Sequence, residues 1–423
     1  FYFLLLLFYL KNYLNIMSIK VLHINYSDIK GGAAIAVKRI HDAQKKIDVD
    51  SKIVVAEKYL DHKDVIGPKS TFEEVKWKIL NSINRKIGNL EKKERYDSNS
   101  YNLIPNNFVK KINRISCDII NLHWIGNNLI PIKDLKKINK PIVWTLHDMW
   151  AYTGSEHYTK NFRFIEGYNK NNKPKELSGY DFEKYCWNLK KKNYPDNLNI
   201  IATSNWQLNN AKKSFLLKNK KLLKIPLPID FSFWKPMKRN IARNILNISE
   251  NKKVILIGSE KIDLKRKGYN LIESILNILD DSNSLLIVFG RNCKKLEKIN
   301  KFDKIYFEEI SPNSQDLKIL YSACDLFLAP SIQESFGQTV LEAASCCLPS
   351  ICFENNGISE IIDHKINGYI AKEGDTEDFA RGIDWCLQNL KQEDMEKNLK
   401  VLKAKFSSEI IAEEYKKFYS SII

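Results

Sequence analysis

Residues 330–346 read PSIQESFGQTVLEAASC, and the reading of this stretch decides the reading of the chain. The apolar run DLFLAPS (325–331) leads into it and SICF (350–353) follows. Short apolar runs bounded by Pro or Gly suit buried strands. GQTVLEAASCC (337–347) has helical spacing and starts on Gly337. Strand, helix and strand in that order form the unit of a parallel sheet. Into this apolar unit the chain sets two carboxylates, Glu334 at the turn and Glu342 inside the helix. Burying carboxylates without partners is costly. A helix start offers free N–H groups and a positive dipole suited to a diphosphate, so two acids flanking one point to a polar ligand. In that reading Glu334 accepts from sugar hydroxyls and Glu342 holds a ribose diol; a structural ion pair is the alternative for Glu342.

The same alternation runs outward in both directions. In the first half KVLHINY (20–26), SKIVVAE (51–57), CDIINLHW (117–124), PIVWTLHD (141–148) and NIIATS (199–204) read as strands. AAIAVKRIHDAQKKI (33–47) and EEVKWKILNSINRKI (73–87) have helical spacing. In the second half KVILIGSE (253–260), SLLIVFG (284–290) and KIYFEEI (304–310) join the two runs above, with helices at 269–279 and 314–324. The break falls at KIPLPIDFSFWKP (224–236), whose three prolines fit neither a helix nor a central strand. Two α/β domains are expected, 17–228 and 229–405, followed by an amphipathic helix at 406–423. Residues 155–195 lose the pattern and read as a long, partly mobile insertion.

The 423 residues, 44% hydrophobic and 28% charged, describe a globular chain. The net charge of +17 suits phosphorylated substrates or acidic lipid headgroups. Lys190–Lys192 could touch a membrane surface, while plain solvated lysines are the simpler account. No nucleic-acid partner is expected. Eight cysteines without a CxxC pair indicate a reducing, cytoplasmic setting. The opening FYFLLLLFYLKNYLNI (1–16) has an apolar run too short for a membrane span. It reads as a leader upstream of a native start at Met17, with a short membrane anchor as the alternative.

Ligands of open parallel sheets collect beyond the carboxyl ends of strands. Gly31 and Gly32 lie there, before a helix, where backbone amides can approach an anion; a simple turn is the other reading. His123, His147 and Asp148 close two strands; the histidines read either as hydrogen-bonded structural residues or, since two stand at neighbouring strand ends, with one facing a cleft. Arg266 and Lys267 precede a helix starting near Gly268, a placement that the helix dipole disfavours unless an anion sits nearby; an exposed basic turn in a Lys-rich chain is the simpler account of this motif alone. Neither GxGxxG nor a Walker loop is present, which argues against a dehydrogenase or P-loop ATPase.

Taken together, DIKGGAAIAVKRIH (28–41), NLHWIG (121–126), PIVWTLHDMWAYTGSEHY (141–158), IATSNW (201–206), RKGYNLI (266–272), ACDLFLAPSIQESFGQTVLEA (323–343), NNGISEII (355–362) and NGYIA (367–371) resemble bacterial glycosyltransferase family 4, of the exopolysaccharide, colanic-acid or O-antigen type. The resemblance implies the GT-B fold, two Rossmann-like domains facing each other across a cleft, with the last helix crossing back to the first domain. It implies a retaining transfer from a UDP- or GDP-linked sugar to a growing, lipid-linked saccharide, at the cytoplasmic face of the membrane. Glu334 would touch the donor sugar and Glu342 the ribose. Phe336, Gly337 and Gln338 would face sugar hydroxyls, the Thr339 and Val340 amides the phosphates, and Arg266 and Lys267 the leaving diphosphate. Gly31 and Gly32 would approach the phosphates from the other side, and His147 the transferring sugar. No metal or other cofactor is implied.

The chain departs from the family at Cys347, at Asn356-Gly357 and at Ile262, where an arginine is usual and Arg266 or Lys261 would substitute. Glu156 and a Lys/Asn-rich stretch replace a cysteine-rich one, removing a zinc site. Rival readings are an inactive GT-B protein that binds glycan or a partner, a sugar-nucleotide epimerase, and a glycosidase using the two acids.

Overall fold

The computed structural model describes residues 18–90, 96–177, 179–279, 284–299, 301–311 and 313–423. The segment 1–16, read above as a leader, lies outside them. The first sheet contains β1 (Lys20–Ser27), β2 (Asp50–Glu57), β3 (Val65–Ile66), β4 (Ile119–Leu122), β5 (Ile142–Leu146), β6 (Asn199–Ala202) and β7 (Lys221–Lys224). The second contains β8 (Lys253–Lys261), β9 (Ser284–Arg291), β10 (Asp303–Phe307), β11 (Leu326–Ala329), β12 (Ser350–Phe353) and β13 (Gly368–Ala371). Five helices matter for the site: α1 (Gly32–Lys45), α2 (Thr71–Asn89), α3 (Phe182–Asn193), α4 (Gln338–Ser345) and α5 (Ser408–Ser420).

Every strand pair is parallel, in the orders β3-β2-β1-β4-β5-β6-β7 and β10-β9-β8-β11-β12-β13. β4, β5, β6, β11 and β12 are buried at every residue. That is why they read as unbroken apolar runs: both faces of a parallel sheet are covered. Each sheet reverses its winding direction between its first and fourth strand, β1/β4 and β8/β11, which opens a crevice at the strand ends.

The chain crosses between the sheets twice, and the crossings hold each other. Ile229 N–H donates to Phe406 O at 2.9 Å and Ser408 Oγ to Ile229 O at 3.2 Å. Ile225, Leu227, Ile229 and Trp234 share one apolar cluster with both domains and with Tyr415, Phe418 and Tyr419 of α5. α5 packs on α1, and its Tyr419 hydroxyl accepts from Asn121 Nδ2 (2.7 Å) and Gln44 Nε2 (3.3 Å). The last helix thus returns to the first domain.

Residues 155–195 differ from the expectation of a loose insertion. Tyr158, Phe164, Tyr168, Cys186 and Trp187 are buried in the first domain's core. Lys190 is also buried, donating to the carbonyls of Trp150 (2.5 Å), Gly154 (2.7 Å) and Thr153 (3.3 Å), and burial pulls its ammonium down to about 7. This packing depends on contacts far along the chain, so no periodic pattern announces it. β3, β7 and β13 are strands that the apolar runs did not mark; β7 is the lysine-flanked KLLK, at an outer edge of its sheet.

Candidate active site

The C-terminal wall of the cleft is set by two glycines. Gly268 has φ +70°, and a Cβ there would lie 1.8 Å from Pro330 O. The chain after β8 can therefore press against the loop after β11, and Ile332 and Gln333 N–H both donate to Arg266 O (2.8 and 3.2 Å). This closure delivers Lys267 Nζ to Glu334 Oε2 and puts Arg266 Nη1 3.4 Å from the same oxygen. Burial opposes the charge on Glu334, yet Lys267 and Arg266 outweigh it and hold the carboxyl at about 2. Gly337 starts α4 at φ +96°, where a Cβ would meet Ile358 Cγ1 at 2.6 Å. Of the two amides expected at a phosphate, Val340 N–H is taken up by Gly337 O (3.0 Å), while Thr339 N–H has no partner among the described residues. Ser259, Lys267, Ser331, Glu334, Gly337 and Thr339 line one pocket.

The two acids are not left unpartnered. Glu342 is buried, and its Oε1 receives Arg39 Nη2 of α1 at 2.5 Å while Tyr321 hydroxyl donates to Oε2 at 3.1 Å. Arg39 also reaches Asn313 Oδ1 (2.5 Å) and Gln338 Oε1 (3.3 Å), and Gln338 Nε2 donates to Gly32 O (2.7 Å). The ion pair left open as an alternative for Glu342 is thus present, and it bridges the domains. The cost of burial that pointed to a ligand is met here by protein cations. Phe336 turns its ring into the core against Phe406. Gly31 needs its glycine for φ +90° and faces Glu260 across the cleft. Arg266 is also shared: Asp97 accepts from its Nε (2.6 Å) and the Tyr158 ring lies under its guanidinium at 4.2 Å. Tyr158 hydroxyl in turn meets Ser335 Oγ at 2.9 Å. Ile262 is buried and Lys261 turns to Asp263 (3.7 Å), so of the two candidate substitutes for the family's arginine only Arg266 reaches Glu334.

The N-terminal wall carries a line of three histidines, His23 within β1 and His123 and His147 just past the ends of the neighbouring strands β4 and β5. Gln44 Oε1 lies 2.8 Å from His23 Nε2, His23 Nδ1 2.8 Å from His123 Nε2, and His123 Nδ1 2.9 Å from His147 Nε2. An amide oxygen only accepts, so His23 carries its proton on Nε2, and the same tautomer is imposed on His123 and then on His147. Nδ1 of His147 ends the line as an acceptor. Burial keeps the rings neutral, pulling His23 to about 3 and His147 to about 4. Asp148 turns aside to His157 Nδ1 (2.6 Å); burial pushes its carboxyl up, but His157 and the Trp150 N–H hold it below the usual range.

Arg39, Asp97, Tyr158, His23 and Gln44 were not singled out in the sequence. Arg39 left a signal: it sits between Ala36 and Ala43 on the buried stripe of α1. Among the described residues one group has metal-ligand spacing, His41, His62 and Asp64. It lies away from the cleft, with Lys45 3.5 Å from Asp64 and the Asp64 N–H donating to His62 Nδ1 (3.2 Å).

Two parallel Rossmann-like domains joined by a double crossing, with the site at the strand ends between them, define the GT-B fold. HepE of Anabaena, solved with UDP and glucose, superposes with a TM-score of 0.62 at 16% identity, over 95% of this chain and 100% of that one. Residues 238–401 match the family model described as glycosyl transferases group 1. N-acetyl-alpha-D-glucosaminyl L-malate synthase of Bacillus anthracis is 28% identical over 187 residues, 42% of this chain and 47% of the relative. N,N'-diacetylbacillosaminyl-diphospho-undecaprenol alpha-1,3-N-acetylgalactosaminyltransferase of Campylobacter jejuni is 28% identical over 191 residues, 44% and 49% respectively. The chain spans about half the length of the curated relatives it matches.

Proposed function

We propose that the protein is a retaining glycosyltransferase that moves a sugar from a UDP- or GDP-linked donor to a hydroxyl of a growing, lipid-linked polysaccharide, at the cytoplasmic face of a membrane. The observation that carries this is the convergence of Lys267, Arg266 and Glu334 beside the start of α4, inside an interdomain cleft. In the reaction the bond from the anomeric carbon to the diphosphate oxygen breaks and a bond to the acceptor oxygen forms. The acceptor's proton leaves with the diphosphate. Lys267, Arg266 and the Thr339 N–H meet the charge that grows on the leaving group, stabilising it as an oxyanion hole does, so in this reading no metal is needed. Glu334 then exchanges its contact with Lys267 for sugar hydroxyls, and Glu342 exchanges Arg39 for the ribose. His147 offers a neutral acceptor to the transferring sugar. The matched family model and the donor-bound GT-B neighbour support the activity class. All eight cysteines are free and buried, which suits a reducing compartment. No described helix is long and apolar enough to cross a membrane, so membrane contact in this reading is peripheral.

The test is incubation with labelled UDP- and GDP-sugars and a lipid extract. Release of nucleoside diphosphate together with a lengthened lipid-linked glycan is expected, and Glu334→Gln should abolish both while the fold persists. Donor binding without turnover would instead favour a glycan-binding role.

A further inference from the structure

At the outer edge of the first sheet, away from the cleft, three metal-binding side chains meet. His41 comes from the C-terminal half of α1, and His62 and Asp64 from the turn that leads into β3. That turn is tied to the sheet: Val65 N–H donates to His62 O (3.1 Å) and Ile53 N–H of β2 to Asp64 O (2.9 Å). His41 is 1% exposed, and the Ser51 hydroxyl of β2 lies 2.8 Å from its Nδ1. Its other nitrogen, Nε2, faces Asp64 Oδ2 at 3.9 Å, too far for a hydrogen bond. Among the described residues nothing else reaches Nε2, and the carboxylate of Asp64, itself only 9% exposed, accepts no hydrogen bond. The His62 ring stands edge-on to that of His41, with centroids 5.9 Å apart. Buried polar groups ordinarily find partners, so a nitrogen and a carboxylate facing each other across an unbridged gap call for one. The protein's own cations do not fill it. Lys45 Nζ is 3.5 Å from Asp64 Oδ2, but its side chain is 41% exposed and the contact is solvated and weak. Lys38 is held by Asp42, and Lys58 by the His62 carbonyl at 3.4 Å.

We propose that His41, His62 and Asp64 bind a divalent transition-metal ion that staples the edge of the first sheet to α1. Two imidazoles and one carboxylate suit zinc and its neighbours, whereas magnesium and calcium favour oxygen ligands alone. The three ligand atoms lie within 4.8 Å of one another. Around a tetrahedral zinc ion, with bonds of about 2.0–2.1 Å, they would lie about 3.3 Å apart, a contraction that a surface turn can supply. His41 ligates through Nε2 while its Nδ1–H is held by Ser51, the usual support of a metal-bound imidazole. His62 exchanges the Asp64 N–H (3.2 Å) for the ion, and Lys45 swings out to solvent. This edge is where a staple has most to hold. β3 is two residues long, and the apolar cluster that α1, β2 and β3 share there consists of Val37, Ile53, Val55 and Val65. His41 is also two residues from Arg39, so the ion steadies the helix that carries the interdomain ion pair. It takes no part in the transfer, and the site stands whether or not the transferase reading holds.

The test uses the full chain, stripped of metal with EDTA, dialysed, and titrated with Zn²⁺ alone, with Mg²⁺ as the control. Wild type should take up one zinc per chain in equilibrium dialysis and melt at a higher temperature with zinc than without it; magnesium should do neither. His62→Ala and Asp64→Asn should each weaken zinc uptake on the order of tenfold or more and abolish the rise in melting temperature. Melting without metal shows whether each variant folds, and if His62→Ala does not, the nearly isosteric Asp64→Asn carries the comparison. Zinc uptake that survives the substitution unchanged in a folded variant would overturn the site, since the ion would then sit on other side chains. A wild type that takes up no zinc would overturn it as well.

Discussion

On the C-terminal side of the cleft, Lys267 and Arg266 gather on a single Glu334 oxygen; on the N-terminal side, His23, His123 and His147 line up as uncharged rings. Both sets sit at strand ends beside a β1/β4-type crevice, so the fold alone does not explain the difference. Burial acts on both and would neutralise either. On one side opposite charges a few ångströms apart outweigh it. On the other the one counter-charge nearby, Asp148 beside His147, is taken up by His157, and burial prevails. A wall of the first kind can take up the charge of a leaving diphosphate. A wall of the second kind can orient neutral hydroxyls without competing for that charge. Glu342 and Arg39 join the two walls, one partner from each.

The contrast can be broken at several points. Arg39→Met leaves Glu342 buried with its cation removed, and should cost about 3–5 kcal/mol in denaturant unfolding. Adding Glu342→Gln should restore much of it, separating the unpaired charge from lost packing. Lys267→Met should lower kcat on the order of 10²–10³-fold, as loss of one donor at a developing anion does, and should also lower stability, because Glu334 keeps only Arg266 against its burial. His123→Phe interrupts the neutral line and strands the ring nitrogens of His23 and His147; a loss of about 2 kcal/mol is expected. A further effect is in the pH dependence. His23 and His147 are held near 3 and 4, below the unfolded value of 6.5. Between pH 6.5 and about 4 the unfolded chain takes up protons that the folded chain refuses, so stability falls as pH drops through that window and is unaffected above it. A melting temperature that stays level from pH 7 to pH 5 would contradict the buried neutral line.

The charged wall was largely legible in the sequence and the neutral wall was not. Arg266, Lys267 and Glu334 each violate a local rule, a cation before a helix start or an acid in an apolar run, and local violations show without coordinates. His147 and His123 were visible as strand-end residues, but His23 lies within the buried run VLHINYS, where a histidine reads as ordinary core. The partner of Glu342 is 303 positions away and that of Arg266, Asp97, 169 away. Spacing along the chain carries no record of such pairs. The segment 155–195 misled for a related reason: its core is made by isolated aromatics and one lysine caging three carbonyls, which composition reads as polar and loose.

The return of α5 to the first domain has a consequence for how the chain is made. Asn121 and Gln44 obtain the Tyr419 hydroxyl only after the whole second domain has been synthesised. On the ribosome, then, the domain that emerges first is sealed last, and a truncation beyond residue 405 should injure the far end of the polypeptide more than the domain next to the cut.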